Sequence, residues 1–318
     1  MKPFFTISLD FELMWGMYDV LTMQQYSKNI LGGRSAIPKI LQLFKKYNIH
    51  ATWACVGLLT FSNKVTLQSY LPDILPIYRN PQLDVYKYIK SIGRDEKSDP
   101  YHYAYSLICQ INDTENMEIA SHTFSHFYCL EEQHTTNAFL SDLQASNVAF
   151  SRLGIDTTSL VFPRNQYNTS AIADISKAGF KVFRGNENNF LNQSRANNLN
   201  NKIIRGCRLL DSYISITGFN CSNKIFFKDN ITSIPSSRFL RPASSGPLES
   251  LRLGRILNAM NHAAANNEGF HLWFHPHNFG INTELNIDFL EKILINFVRL
   301  QDEFGMQSLT MKEAGNNN

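Results

Sequence analysis

The sequence has little charge and no long hydrophobic run. Charged residues make up 18% of its 318 residues, and thirty basic against twenty-seven acidic side chains leave a net charge of +3. A dedicated nucleic-acid-binding protein normally carries a larger basic excess, so we expect no nucleic-acid partner. A membrane span needs roughly 18 uninterrupted apolar residues, and because no stretch reaches that length we expect no span. The hydrophobic content of 43% excludes a disordered chain.

A paired-cysteine motif and a secretory signal are also lacking. The five cysteines are odd in number and scattered, and no Cys-x-x-Cys pair occurs among them. Residues 1–10 have too short an apolar stretch for a signal and no small-residue cleavage site behind it. This pattern is typical of reduced thiols in a cytoplasm. We therefore predict a cytoplasmic protein.

Helical and strand-like segments alternate along the chain. Apolar residues recur at helical spacing in the predicted helices 35–47 (with Ser35 as N-cap), 137–153, 170–177, 251–260 and 287–304. The predicted strands are 4–9, 51–56, 118–120, 159–162, 181–183, 213–217, 270–275 and 307–309. Such alternation favours a mainly parallel sheet covered by helices. About eight strands favour a closed or nearly closed barrel.

Two segments interrupt this alternation. Residues 62–111 are rich in tyrosine and proline and predict a structured insertion of helices. Residues 186–246 predict a second insertion, which begins with an asparagine-rich loop at 186–201 and includes an irregular segment at 224–246. Neither has the composition of a domain linker, so we predict one domain over residues 1–318.

An acidic pair, Asp10 and Glu12, follows the first predicted strand. Residues two apart on an extended chain point to the same face. That placement suits a pair in which one carboxylate binds a metal and the other acts as a base. The alternative is a solvated strand end with no chemical role.

Two histidines, His122 and His126, follow the third predicted strand. Spacing of four residues would place both rings on one helical face, a common arrangement for binding zinc. The alternative is coincidence, because nine histidines in 318 residues produce such a pair by chance.

The segment 270–278 holds three histidines and a tryptophan. In a strand, His271, Trp273 and His275 would share one face. Pro276 would end the strand, so that His275 would lie at its C-terminal end. A single buried histidine usually means a satisfied hydrogen bond, but four such residues in one strand favour a site. The loop 162–168 adds Arg164, which could orient a carboxylate bidentately or lie in a surface turn.

Taken in order, these segments resemble the polysaccharide deacetylase family (the NodB-homology domain, carbohydrate esterase family 4) in a divergent Asp-x-Glu branch. The stretch 49–57, Ile-His-Ala-Thr-Trp-Ala-Cys-Val-Gly, is similar to that family's second strand. Residues 118–126 are similar to its metal-binding motif, and 307–311 to its closing strand. The resemblance implies a distorted barrel of seven or eight β/α units, a divalent metal, usually Zn²⁺, and removal of acetyl or formyl groups from sugars.

The resemblance also assigns roles. It implies Glu12, His122 and His126 as metal ligands, Asp10 as catalytic base, and His275 as general acid. His277 is the fallback acid, because a break at Pro276 could reorient either ring, and we also expect it to bind substrate. Tyr167 would supply a backbone amide to the oxyanion, and Arg164 would orient Asp10. The segment Ser8–Glu12 replaces the family's Thr-Phe-Asp-Asp-Gly, and the loop 163–167 is rearranged. No counterpart of the family's fourth motif is found near residues 183–185.

The resemblance and the predicted compartment together favour an activated substrate. We expect a nucleotide-linked or lipid-linked amido sugar used in bacterial surface-polysaccharide biosynthesis. Arginines concentrate between 202 and 255, and we expect Arg238 and Arg241 to bind a substrate phosphate and Trp273 the sugar. A solvated charge run is the alternative for those arginines. Two further functions stay open: a metal-independent hydrolase of cyclic ureides, as in allantoinase-like relatives, and a non-catalytic sugar-binding barrel.

Overall fold

One curled sheet organises the computed structural model, which describes residues 2–132, 137–196, 202–227 and 230–317. Within these residues the strands are Phe4–Phe11 (β1), Ala51–Cys55 (β2), Met117–Ser121 (β3), Ser159–Leu160 (β4), Val182–Gly185 (β5), Ile225–Phe226 (β6), Thr232–Pro235 (β7), Arg238–Phe239 (β8), Gly269–Phe274 (β9) and Gln307–Ser308 (β10). Their order is β6-β7-β5-β4-β3-β2-β1-β9-β8, and β10 pairs with β1. All eight residues of β1 are buried, as expected for a central parallel strand.

The two edges of the sheet meet in one short stretch of chain, residues 232–239. Its first half, β7, pairs in parallel with β5, and its second half, β8, pairs in parallel with β9. Between them, Ser236 N donates to Gly185 O and Ser237 N donates to His271 O, each at 2.8 Å. The sheet therefore curls into a distorted, mainly parallel barrel, and the predicted fold class is confirmed.

Helices cover the outside of the sheet. They are Met23–Lys46 (α1), Lys64–Gln68 (α2), Val85–Tyr88 (α3), Tyr105–Asn112 (α4), Ala138–Ser151 (α5), Thr169–Lys177 (α6), Lys202–Asp211 (α7), Glu249–Ala265 (α8), Thr283–Phe304 (α9) and Met311–Asn316 (α10). The first helix begins twelve residues before its predicted start, because Thr22 and Gln25 form a capping box. Ser35 is no cap, since its hydroxyl donates to Leu31 O inside the helix.

Two predictions about the second insertion are wrong. The predicted strand 213–217 is a turn after α7, because Asp211 Oδ1 accepts from Ile216 N at 2.9 Å and from Thr217 N at 2.8 Å. The segment 224–246, predicted to be irregular, contains β6, β7 and β8. Its Pro235 is tolerated because it lies at the last position of β7. Of the predicted asparagine-rich loop 186–201, residues 197–201 lie outside the described residues.

The first insertion packs beneath the loop that follows β1. It contains α2, α3 and α4, in agreement with its predicted helical character. Trp15, just after the acidic pair, donates its ring N–H to His102 O at 2.8 Å. The His102 ring in turn lies between Asp99, at 2.8 Å, and the Tyr88 hydroxyl, at 3.0 Å. This buried network fixes one wall of the barrel mouth.

The long helix α1 packs directly on the turn after β9. A Cβ at Gly33 would lie 2.6 Å from His277 Cα, so only glycine allows this approach. No helix within the described ranges is both long enough and apolar enough to cross a bilayer.

Candidate active site

The acidic pair lies inside the mouth of the barrel. Asp10 is the second-last residue of β1 and Glu12 follows the strand directly; each is 4% exposed. Leu13 then turns the chain through a left-handed conformation with φ of +48°. A solvated strand end, the alternative for this pair, is therefore wrong. The two carboxylates are buried at the carboxyl ends of the strands, where barrel enzymes place their chemistry.

His122 and His126 come together through a loop, and not on a helix as their spacing predicts. They follow β3, and both Thr123 and His126 adopt left-handed backbone angles, with φ of +61° and +58°. Such angles cost energy in non-glycine residues and cluster at functional sites. The two ring centroids are 5.0 Å apart.

A buried carboxylate on α5, Asp142, holds that loop in place. Asp142 Oδ1 accepts from Phe124 N at 2.7 Å, and Oδ2 accepts from Ser125 N at 3.2 Å and from the Ser125 hydroxyl. Burial raises the pKa of Asp142 to about 6, even though these donors favour its charged form. Asp142 was not predicted as a site residue, because an aspartate within a helical pattern carries no local signal of what it binds.

The arrangement of His122, His126 and Glu12 fits a divalent cation. His122 Nδ1 lies 2.9 Å from Val161 O, so Nδ1 carries the hydrogen and Nε2 presents a lone pair. That buried Nε2 has no hydrogen-bond partner among the residues that the structure describes, and it lies 3.4 Å from Glu12 Oε2. His126 Nε2 lies 2.9 Å from the same oxygen. A carbonyl that fixes the tautomer of a histidine is the usual support of a metal ligand.

Electrostatics favour the ligand forms of these side chains. Burial lowers the pKa of His126 and keeps its ring neutral, although Glu12 acts in the opposite direction. Burial opposes ionisation of Glu12, but His275 and His126 outweigh it and hold the Glu12 pKa well below its usual value. A second group of possible ligands, Glu12 with His275 and His277, shares the same carboxylate.

Asp10 is held by Arg184. The guanidinium donates from Nη1 to Oδ1 at 2.6 Å and from Nη2 to Oδ2 at 2.8 Å. It also donates to Ser8 Oγ and Asn165 Oδ1, each at 3.0 Å, and lies 4.3 Å from the centre of the Trp273 ring. Burial opposes ionisation of Asp10, but Arg184 outweighs it and lowers the Asp10 pKa. Asp10 is therefore an ionised, fixed carboxylate.

Arg184 stands where Arg164 was expected, so the prediction that Arg164 orients Asp10 is wrong. Arg164 instead pairs with Asp19 at 2.6 Å and stacks 4.3 Å from the centre of the Tyr128 ring. The rearranged loop bends at Arg164, where φ is +53°. An arginine inside the otherwise apolar strand β5 was the signal for Arg184.

Tyr167 does not present its backbone amide to the site. Its N–H donates to Ser194 Oγ at 2.8 Å, and its hydroxyl accepts from Asn186 N at 3.1 Å. The ring packs against Phe162 and Phe183, with centroids 5.1 Å and 5.4 Å away. The predicted oxyanion role of Tyr167 is therefore contradicted, because its donor is already used.

The histidine strand β9 brings one histidine to the carboxylates. His275 Nε2 lies 3.7 Å from Asp10 Oδ2 and 3.7 Å from Glu12 Oε1. His277 is buried behind it, with ring centroids 4.8 Å apart and the Tyr26 ring at 5.4 Å. Burial, followed by the neighbouring His275, lowers the pKa of His277 to about 3. His271 lies deeper and contacts Ser8 Oγ at 2.8 Å.

A cavity of about 670 Å³ opens above these residues. Asp10, Glu12, His126, Trp273 and His275 line it together with the predicted substrate-binding residues Arg238 and Arg241. Such a volume lies in the range of small-molecule sites. Carboxylates and imidazoles around one cavity at the carboxyl ends of a parallel barrel are typical of a hydrolase.

Comparison with known proteins identifies the family. The sequence model for polysaccharide deacetylase matches residues 21–183, just over half of the chain. The protein belongs to the polysaccharide deacetylase family. It is accordingly a hydrolase that acts on amide bonds, in a family that deacetylates sugar amides and generally depends on a divalent metal. No curated protein sequence matches the chain.

Solved structures share the fold at low sequence identity. A polysaccharide deacetylase from Mycobacterium smegmatis is similar with a TM-score of 0.60 and 10% identity, covering 99% of this chain and 90% of its own. Puue allantoinase gives 0.60 and 10%, with 98% and 88% covered. A polysaccharide deacetylase from Pseudomonas aeruginosa PAO1 gives 0.54 and 11%, with 98% and 89% covered. At these identities the likeness shows the fold alone.

Proposed function

We propose that this protein removes an N-acyl group, acetyl or formyl, from an amido sugar with the help of a divalent cation held by Glu12, His122 and His126. The observation that carries the proposal is the buried His122 Nε2, which has no hydrogen-bond partner in the described part of the chain and whose lone pair faces a carboxylate. Two acceptor atoms facing each other inside a protein are stabilised by a cation between them. Two imidazoles and one carboxylate are a common ligand set of catalytic Zn²⁺, so zinc is the metal we propose.

Asp10 and His275 supply the proton transfers. A divalent cation in this site would act as a Lewis acid toward the acyl carbonyl and toward water. Asp10, fixed by Arg184, would accept the proton of the attacking water. His275 would donate a proton to the leaving amine. The distances of 3.7 Å from His275 Nε2 to Asp10 Oδ2 and to Glu12 Oε1 support this role.

Aromatic rings would position the sugar. Trp273 and Phe239 lie side by side in the cavity with centroids 4.5 Å apart, and Phe239 lies 5.7 Å from His275. Flat aromatic faces beside a proton donor suit the apolar face of a sugar ring. The amide would then lie toward Asp10 and the remainder of the substrate toward the arginines.

The substrate we propose is a nucleotide-linked or lipid-linked amido sugar, a precursor in bacterial surface-polysaccharide biosynthesis in the cytoplasm. Its support is the group of arginines that shares the cavity with the acidic pair. All five cysteines are free, as is usual in a reducing compartment.

The test is acyl release from a panel of nucleotide-linked and lipid-linked amido sugars, with and without a chelator. Release that a chelator stops and Zn²⁺ restores supports the proposal. Turnover that survives in metal-free protein would favour a metal-independent hydrolase of the allantoinase type. Binding of an amido sugar without release of acetate or formate would favour a non-catalytic barrel.

A further inference from the structure

Several guanidinium groups line the same cavity as the acidic pair. We call this part the arginine chamber, defined by Glu187, Arg195, Arg205, Arg208, Asp211, Arg238 and Arg241. Five cationic side chains and two carboxylates make its formal charge positive. A cationic concavity with low-dielectric walls concentrates anionic ligands.

Asp211 neutralises only part of that charge. Its Oδ2 pairs with Arg238 Nη1 at 2.6 Å, and its Oδ1 lies 3.5 Å from Arg255 Nη2. Arg238 is 5% exposed and also reaches Gly218 O. Arg238, which the sequence analysis assigned to the substrate, is therefore first of all a structural cation of the chamber wall.

Arg241 and Arg195 lack a carboxylate partner among the described residues. Arg241 has no hydrogen bond within those residues, and its only ring contact is Phe239, 5.8 Å away. Arg195 donates to the carbonyl oxygens of Leu191 and Phe190 and to Gln193 Oε1. Neutral acceptors such as these leave its charge uncompensated.

The cations are close enough to repel one another. Arg208 donates to Leu191 O at 2.7 Å, the same carbonyl oxygen that Arg195 uses at 2.9 Å. Burial and then Arg195 lower the pKa of Arg208, and burial and then Arg252 lower that of Arg241. A partly buried group of like charges costs stability unless an anion joins it.

One aromatic ring connects the chamber to the catalytic residues. Phe239 lies 5.7 Å from the His275 ring on one side and 5.8 Å from the Arg241 guanidinium on the other. Trp273 lies beside it, with ring centroids 4.5 Å apart. A ligand that bridges the two ends would thus meet the His275 ring at one end and the Arg241 guanidinium at the other.

We propose that the arginine chamber, through Arg241 and Arg195, binds the phosphate group of a phosphorylated amido sugar whose acyl group lies against Asp10 and His275. This inference rests on the proposed function and specifies what the site recognises besides the amide. Planar guanidinium groups bind phosphate oxygens bidentately and remain charged at all physiological pH values. Asp10 and His275 would take part in hydrolysis of the amide, and the arginine chamber would select substrates that carry an anionic group.

Direct binding of α-D-glucose 1-phosphate tests the chamber without any need for catalysis. The protein is first freed of metal by dialysis, and binding is measured by calorimetry at low ionic strength, with glucose as the neutral comparison. The variants are Arg241→Gln and Arg195→Gln, and Arg299→Gln on the exposed face of α9 is the matched control. Arg238→Gln is avoided, because it would remove the nearest cation of Asp211, at 2.6 Å, and so disturb the wall.

We expect glucose 1-phosphate to bind and glucose not to bind. Arg241→Gln should weaken phosphate binding about tenfold or more, Arg195→Gln less, and Arg299→Gln not at all. Equal affinities for all four proteins, or no binding to the parent protein, would overturn the inference. If binding behaves as expected but no amido sugar is deacylated, the chamber stands and the proposed function fails.

Two further ligands identify the source of the phosphate. Uridine diphosphate represents a nucleotide carrier, and farnesyl phosphate below its micellar concentration represents a lipid carrier. Tighter binding of either, weakened by Arg241→Gln, supports the inference and names the carrier. Binding of either that is insensitive to both arginine variants would contradict it.

Discussion

Arg184 donates to both carboxylate oxygens of Asp10, and its guanidinium lies against the face of Trp273. One buried side chain thereby links the proposed base to the aromatic wall of the cavity. The fork geometry fixes the orientation of the carboxylate as well as its charge. Arg184 is a positioning residue, because it acts on the substrate through Asp10.

Replacing Arg184 separates geometry from charge. Arg184→Lys keeps the positive charge but loses the bidentate fork, so we expect kcat to fall about 10- to 100-fold with KM little changed. Arg184→Gln leaves the Asp10 charge buried and unpaired and should cost about 3–5 kcal/mol of stability. Steady-state kinetics and denaturant unfolding measure the two effects. Arg299→Lys, on an exposed helix face, should leave both unchanged.

Asp10→Asn tests the division of roles within the acidic pair. The variant should lose about 10²- to 10⁴-fold in kcat, because an amide cannot accept the proton. It should still bind one equivalent of metal, measured by elemental analysis, since the ligand atoms belong to Glu12, His122 and His126. Asp302→Asn on the surface is the control. Loss of metal from Asp10→Asn would mean that Asp10 and Glu12 have exchanged roles.

Asp142 should tune metal affinity without touching the metal. Asp142→Asn puts one amide NH₂ where Phe124 N or Ser125 N now donates, so the His122 loop loses a bond and gains a repulsion. We expect metal affinity to fall about 10- to 100-fold, the usual effect of losing a support of a ligand. Competition with a chromogenic chelator measures it. An unchanged affinity would show that the loop holds its shape without Asp142.

Glu187 should make anion binding depend on pH. Burial raises its pKa to about 7, although Arg238 and Arg208 favour the charged form and Asp211 opposes it. Below pH 7 the carboxyl group is mainly neutral and the arginine chamber more positive; above pH 7 it is charged and offsets one guanidinium. Sulfate, which stays a dianion throughout, should therefore bind about three- to tenfold more weakly at pH 8 than at pH 6. Glu187→Gln should reduce this pH dependence, and an identical profile in the variant would contradict the assignment.

Gly33 is required by the close packing of α1 on the turn that carries His277. Gly33→Ala would place a Cβ 2.6 Å from a backbone atom, and the overpacking should cost about 1–3 kcal/mol even though alanine favours helix. Gly254→Ala on α8 is the matched control, because no atom lies within 4 Å of its added Cβ. The control should be stabilised by up to about 1 kcal/mol. Thermal unfolding of both variants measures the contrast, and equal behaviour would refute it.

The barrel was predictable from sequence because its strands and helices carry strong local patterns. Segments 4–9 and 287–304 keep one hydrophobic pattern along their whole length. The observed elements, Phe4–Phe11 and Thr283–Phe304, differ from them only by a few residues at one end. The segment 213–217 was misread because Ile214 and Ile216 alternate as in a strand, yet Asp211 captures the backbone amides there. The strands β7 and β8 were not predicted, because Pro235 and the two serines that follow it are typical of a turn. Only their pairing with the distant strands β5 and β9 defines them as strands.

Within the site, the carboxylates and histidines were predicted from the sequence, but the residues that hold them in position were not. Acidic and imidazole groups at strand ends are unusual enough to attract attention one by one. Arg184 and Asp142 become significant only through partners far away in sequence, at Asp10 and at residues 124–125. Arg164 was predicted to orient Asp10 because an arginine in a loop has no obvious partner in the sequence. In the structure Arg164 pairs with Asp19.

The stretch 232–239 joins the two edges of the sheet, and its last residues, with Arg241 just beyond, line the wall of the arginine chamber. A shift of one residue there would reverse which side chains face inward and would also break the pairing with β5 or β9. Under the proposed function, substrate recognition and barrel closure therefore depend on the same few residues. New specificities would arise more easily in 186–196 and α7, which contribute cavity residues without closing the sheet, so those segments are the place to begin when redesigning the enzyme for another carrier.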